Sequence, residues 1–135
     1  MKDIILDAEV ASIEKATDFI NSVLESNDCS MKVQLQLDVA IDEIMSNLAF
    51  YAYPDGKGQV RVTIDFSENK SKVILSFEDN GVEFNPLEKG DPDVTLNAED
   101  RLVGGLGIFI VKKTMDAVRY ERKGDKNILT IEKSL

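Results

Sequence analysis

Asp38-Val39-Ala40-Ile41-Asp42-Glu43-Ile44-Met45-Ser46-Asn47-Leu48 decides how the rest of the chain is read. At 3.6 residues per turn it has a dry face and, beside it, Glu43 and Asn47, one turn apart and so neighbours on the helix surface. On a solvated helix that pair is an ordinary surface contact. Two later stretches give it a second meaning: a strand ending in Asp79-Asn80-Gly81, and a loop, Gly104-Gly105-Leu106-Gly107, that opens another helix. An acidic helix residue, an amide the size of a magnesium ligand, an Asp-x-Gly turn and a glycine-rich helix start together describe a nucleotide pocket.

Working outward, Ser30 reads as a helix cap, and Leu37, Ile41, Ile44, Leu48 and Tyr51 fall on one stripe until Pro54 forbids continuation, so the central helix runs to about Tyr53. Before it, Ile13, Ala16, Phe19, Ile20, Val23 and Leu24 predict an amphipathic helix over about 12–26, with Ser12 as its cap and Asn27-Asp28-Cys29-Ser30 as its end. Residues 2–6 read as an opening strand at a sheet edge. After it, Val60, Val62, Ile64 and Phe66 alternate with polar residues, as do Val73, Leu75 and Phe77, which predicts a hairpin with one wet face. Residues 82–103 hold Pro86, Gly90 and Pro92 without a period, and a loop of that length predicts a mobile lid over a site. A third helix starts at the glycines, and strands at 118–122 and 128–132 close the chain. Strands segregated from helices and joined by hairpins predict an α+β two-layer sandwich.

The 135 residues suit one domain with a single core, 1–135. With 43% hydrophobic and 30% charged residues, neither disorder nor a fibrous class is indicated. No apolar run approaches a membrane span and no apolar segment follows the start, so no membrane partner and a cytoplasmic location are expected. A single cysteine, Cys29, fits a reducing compartment, and the absence of histidine argues against zinc and removes Ser-His and Cys-His mechanisms. Any general base must then be Asp or Glu. A formal net charge of -9 argues against direct nucleic-acid binding.

Each candidate site residue has a chemical reason. Asn47 offers a neutral amide oxygen of the kind Mg2+ accepts when phosphates and water fill its other positions; the alternative is an amide bonded to a neighbouring strand or loop. Glu43, one turn before it, is placed to take a proton from a water or hydroxyl attacking a γ-phosphate, while Asp42, about 100° round the helix, reads as solvated. Asp79 would accept from an adenine amino group and reject guanine's carbonyl, although Asp-Asn-Gly is equally an everyday turn. Gly81 would let the base approach the backbone. Gly104, Gly105, Leu106 and Gly107 would present N–H groups to phosphate at a helix start, or serve as a hinge. They form neither a Walker A loop nor a dinucleotide fingerprint. Arg101, three residues ahead, would reach the γ-phosphate from the lid unless it is simply exposed.

These motifs resemble those of the GHKL ATPase superfamily, with its Bergerat fold, and among its members the bacterial anti-sigma factor serine/threonine kinases. Glu43-x-x-x-Asn47 resembles the N box, Asp79-x-Gly81 the first glycine box, and Gly104 to Asp116 the second, so the likeness spans nearly the whole chain. The resemblance implies a mixed, mostly antiparallel sheet covered on one face by three helices. It further implies ATP and Mg2+ as cofactors, Glu43 as catalytic base, Asn47 as metal ligand, and Asp79, Gly81, Gly105 and Gly107 as nucleotide-binding positions. The implied activity is a protein serine kinase that sequesters a sigma factor and phosphorylates an anti-sigma antagonist, and the implied assembly is a homodimer. Two positions depart from the pattern: Tyr51 stands where a histidine is usual and Glu83 where a second glycine is usual. A non-catalytic ATP-binding module that sequesters a protein is the alternative. The detached ATP-binding domain of a histidine kinase fits less well, since the chain has no phosphoacceptor histidine.

Overall fold

Alternation along three central strands sets both the core and one end of a cleft. In the computed structural model, which describes residues 1–54, 56–88 and 105–135, β2 is Gln59–Phe66, β3 Lys72–Asp79 and β5 Lys126–Ser134. Val60, Val62 and Ile64 of β2, Val73, Leu75 and Phe77 of β3, and Leu129 and Ile131 of β5 are buried on one face. Successive strand residues point to opposite faces, so the same parity places Asp79 and Asn127 on that covered face, at its end. The register pairs them directly, Asp79 with Asn127, Phe77 with Leu129 and Leu75 with Ile131.

The element order is β1 (Lys2–Asp7), α1 (Ser12–Ser26), α2 (Met31–Asn47), a π-helical turn (Leu48–Ala52), β2, β3, a short 3-10 turn (Pro86–Glu88), α3 (Gly105–Thr114), β4 (Ala117–Lys123) and β5. The five strands lie in the order β1-β2-β3-β5-β4, which makes β1 an edge strand as the sequence suggests. Each of these pairings is antiparallel, so the sheet expected to be mixed is antiparallel throughout, every strand running opposite to its neighbour. Three helices form the second layer: α2 packs between α1 and α3, and Ile20, Leu24, Leu37, Ile41, Ile44 and Met45 are buried against the sheet residues. The expected lid, about 82–103, is described only through Glu88; its remainder lies outside the described residues.

Local chemistry explains the helix ends. Ser30, with extended backbone, accepts from the Val33 N–H at 3.3 Å, a cap that contributes about 1 kcal/mol. α1 stops at a left-handed Asp28 (φ 57), where the Asp28 N–H reaches the Glu25 carbonyl and the Cys29 N–H reaches the Leu24 carbonyl, satisfying carbonyls that the helix leaves open. Ser12 is not the cap expected of it: Ala11 holds that position without a side-chain bond, and Ser12 is buried one residue inside the helix. Among the described residues, no helix is long and apolar enough to cross a membrane.

Candidate functional site

The last turn of α2 carries the first two site residues and the π-helical turn after it shapes their surroundings. Asn47 Nδ2 donates to Glu43 Oε1 at 3.3 Å, so the amide nitrogen faces the carboxylate and the amide oxygen is the atom left for a cation. Burial pushes the Glu43 carboxyl above its usual range; the Asn47 bond opposes this and the nearby Asp42 charge adds to it. Past Asn47 the helix widens into its π-helical turn, a local expansion that often marks functional sites. The added residue takes Tyr51 off the buried stripe: Leu37, Ile41 and Ile44 are buried, whereas Tyr51 is 38% exposed and stacks on Phe84 at 5.7 Å between ring centroids.

The N-terminus of α3 closes on Glu43. A Cβ built on Gly107 would lie 2.0 Å from Glu43 Cδ and 2.0 Å from Oε2, so only glycine lets the helix start reach the carboxylate. The glycine-rich stretch and the acidic helix residue, 64 positions apart in the chain, therefore meet in space. Gly105 begins α3, with Leu106 next, as the sequence suggests. Gly104 and Arg101 lie outside the described residues.

Asp79 is 2% exposed, and both of its described hydrogen bonds converge on Oδ1: the Gly81 N–H donates at 2.8 Å and Asn127 Nδ2 at 3.0 Å. Burial raises its carboxyl above the usual range, while the Asn127 and Gly81 donors and the Arg122 charge pull it down. The close approach at Gly81 is to the protein itself, since an added Cβ would meet the Ala52 carbonyl oxygen at 2.1 Å. The Val82 N–H donates to that same carbonyl at 2.9 Å, so the Asp79 turn is fastened to the end of the π-helical turn.

Asn47 and Asp79 line one cleft, with Ile44, Leu48, Ala52 and Phe77 at its base and Phe84, Pro86, Tyr120, Asn127 and Leu129 around it. Apolar walls with a few polar groups at fixed points suit a flat heteroaromatic ring. The cavity volume is about 30 Å³, room for water and less than a purine occupies.

Sequence reasoning missed the third polar wall. Asn127 Nδ2 also donates to the Val82 carbonyl at 2.8 Å, and its Oδ1 accepts from Tyr120 Oη and from Arg122 Nη1 at 3.1 Å; Arg122 Nη1 also donates to the Gly81 carbonyl at 2.9 Å. No motif in β4 or β5 signals these contacts. The one available clue was Asn127 itself, a polar residue at an inward-facing strand position.

A two-layer α+β fold with this cleft between its helices and the end of its sheet defines the class: an ATPase-type nucleotide-binding fold. The family model described as "Histidine kinase-like ATPase domain" matches residues 6–133, and the chain belongs to that family. It is 24% identical over 102 residues to the serine/threonine-protein kinase BtrW of Bordetella bronchiseptica, covering 76% of this chain and 71% of that protein. It is 29% identical over 99 residues to the serine-protein kinase RsbW of Listeria monocytogenes (70% and 62% covered). A Bacillus cereus serine-protein kinase RsbW is 28% identical over 87 residues (62% and 53% covered). The chain thus spans somewhat over half the length of the RsbW proteins. The Acinetobacter baumannii histidine kinase AdeS shares the fold, with a TM-score of 0.52 at 19% identity over 99% of this chain and 68% of that one.

Proposed function

We propose that residues 1–135 form one ATP-binding unit that acts as a protein serine kinase, and that it sequesters a sigma factor and phosphorylates the factor's antagonist. The observation that carries the reading is the meeting of Glu43, Asn47 and Gly107 beside a cleft whose far wall is Asp79. The relatives named as serine-protein kinases support the reaction class.

In this reading Asp79 accepts the adenine amino group, and the N–H groups at the start of α3 face the phosphates. Glu43 takes the proton from the attacking serine hydroxyl, and its raised pKa makes it a stronger base than an exposed carboxylate. Among the described residues no cluster of three or more His, Cys, Asp or Glu forms a cation cage. Mg2+ would therefore be held by the Asn47 amide oxygen together with phosphate oxygens and water, a donor set that suits it, and would neutralise phosphate charge. The resemblance supports a homodimer, which light scattering of the purified chain would test.

One observation favours a second reading, a nucleotide-binding module that sequesters a protein without turning over. The cleft is narrow, and Glu83, standing where the resemblance has a second glycine, puts a charge that reaches Tyr120 in the cleft wall, where it would loosen the nucleotide. Glu43→Gln separates the two, because a kinase loses function and a sequestering module keeps it. The site itself is tested by thermal shift with ATP, ADP and GTP, with and without Mg2+, on wild type and Asp79→Asn. Stabilisation by adenine nucleotides that vanishes in the variant is expected; indifference to all three nucleotides would refute the reading.

A further inference from the structure

We propose that Arg122, acting through Asn127, is a positioning residue that sets purine specificity: it fixes the Asp79 turn that reads the purine's 6-substituent, without touching the nucleotide. The inference rests on the nucleotide-binding reading above. Asn127 spends its whole hydrogen-bonding capacity within the protein. Its two amide hydrogens go to Asp79 Oδ1 and the Val82 carbonyl, and its oxygen accepts from Tyr120 Oη and Arg122 Nη1. A side chain so occupied has nothing left for a ligand, so its effect on a ligand passes through Asp79. Arg122 lies behind it: it is absent from the cleft lining, yet one nitrogen bridges Asn127 Oδ1 and the Gly81 carbonyl while Nε donates to the Gly124 carbonyl at 3.2 Å. The β4–β5 end thereby grips the 79–82 turn from outside, across 41 residues of chain between Gly81 and Arg122.

The chemistry at stake is the protonation of Asp79. An ionised carboxylate accepts from the 6-amino group of adenine, whereas a protonated one can donate to the 6-carbonyl of guanine. Among the described residues, the titratable and charged groups that interact with Asp79 or with its neighbours in the cleft wall are Tyr53, which follows the π-helical turn, Tyr120 and Arg122 of β4, and Glu83, whose charge reaches Tyr120. Of these only Arg122 is a cation, and it opposes the burial that pushes the Asp79 carboxyl up. Without it, Asp79 takes a proton at a higher pH, and preference for adenine fails from a higher pH downward.

The test measures ATP and GTP affinities by calorimetry from about pH 5 to about pH 8 on wild type, Arg122→Gln and Arg122→Lys, with circular dichroism to monitor folding. Arg122→Gln is expected to weaken ATP about tenfold at neutral pH and to move the pH at which the ATP-over-GTP preference disappears upward. Arg122→Lys, which keeps the charge but not the forked contact, is expected to restore the pH profile while affinity stays reduced. A folded Arg122→Gln protein with the wild-type ratio at every pH overturns the proposal. Should Arg122→Gln not fold, Arg122→Lys decides: reduced ATP affinity with the wild-type pH profile supports the proposal, and unchanged affinity overturns it. Wild type that binds neither nucleotide at any pH refutes the parent reading instead, and is told apart because it fails before any variant is compared.

Discussion

Replacing Gly107 by alanine puts a methyl group where the Glu43 carboxylate sits. The new Cβ would stand 2.0 Å from Cδ and Oε2 where ordinary contact begins at 3.4 Å, a shortfall of about 1.4 Å. The atoms in the way are the end of a flexible, half-buried side chain and not backbone, so the carboxylate moves and the helices stay. Alanine in place of glycine favours the helix by about 1 kcal/mol. Losing the bond from Asn47 costs about 1 kcal/mol, and a strained Glu43 rotamer costs about 1 kcal/mol more. The net loss is about 1 kcal/mol, a fall in Tm of roughly 3–5 °C for a chain of this size. With Glu43 as the general base proposed above, phosphotransfer would be hit harder, since a displaced base removes about 10²–10⁴ in rate. Calorimetry and a single-turnover phosphotransfer assay on the same preparation read both numbers. A Gly107→Ala protein that transfers phosphate at nearly the wild-type rate would show that Glu43 has no role as base. One that unfolds outright would show that the contact belongs to the packing of α2 on α3.

Three further outcomes are expected. Gly81→Ala meets the Ala52 carbonyl at 2.1 Å, a backbone group that cannot step aside, so it should cost about 1–3 kcal/mol and abolish ATP binding; denaturant unfolding and calorimetry check it. Ser30→Ala should lose about 1 kcal/mol with ATP affinity unchanged, because the cap lies at the far end of α2 from Asn47; chemical unfolding reads the first and calorimetry the second. Asp79→Asn keeps an acceptor oxygen for Gly81 and Asn127 but removes a buried charge. The Asp79 carboxyl titrates higher folded than unfolded, so its ionisation destabilises the fold as pH rises from 3.8 through the raised value. Asp79→Asn should lack that share of the decline in Tm, measured without nucleotide; a Tm-against-pH curve parallel to the wild type's would contradict it.

The sequence made legible whatever local periodicity controls. The alternation in Gln59–Phe66 and Lys72–Asp79 placed both strands and the inward parity of Asp79, and the cap at Ser30 and the stop at Pro54 bounded the central helix. Ser12 misled because a buried serine inside a helix and a capping serine are identical in sequence, and the preceding turn supplied the start instead. Tyr51 misled because a straight 3.6-residue count carries through a π-helical turn that only tertiary contacts reveal. The Tyr120, Arg122 and Asn127 network was invisible because it depends on which strands become neighbours: β5 inserts between β3 and β4, and that order creates the pairing of Asp79 with Asn127. Close approach was foreseen at Gly81 alone, and for a bound base; the groups that demand glycine at 81 and 107 are the Ala52 carbonyl and the Glu43 carboxylate of the protein itself.

A titration of isotopically labelled protein with ATP and Mg2+, followed through amide resonances, bears most directly on the claim that the cleft between α2 and the end of β3 holds the nucleotide. The account predicts that the side-chain amides of Asn47 and Asn127 and the backbone amides of Gly81 and Gly107 shift together, with one saturation curve. Binding that leaves those four resonances in place would put the nucleotide elsewhere and contradict the account.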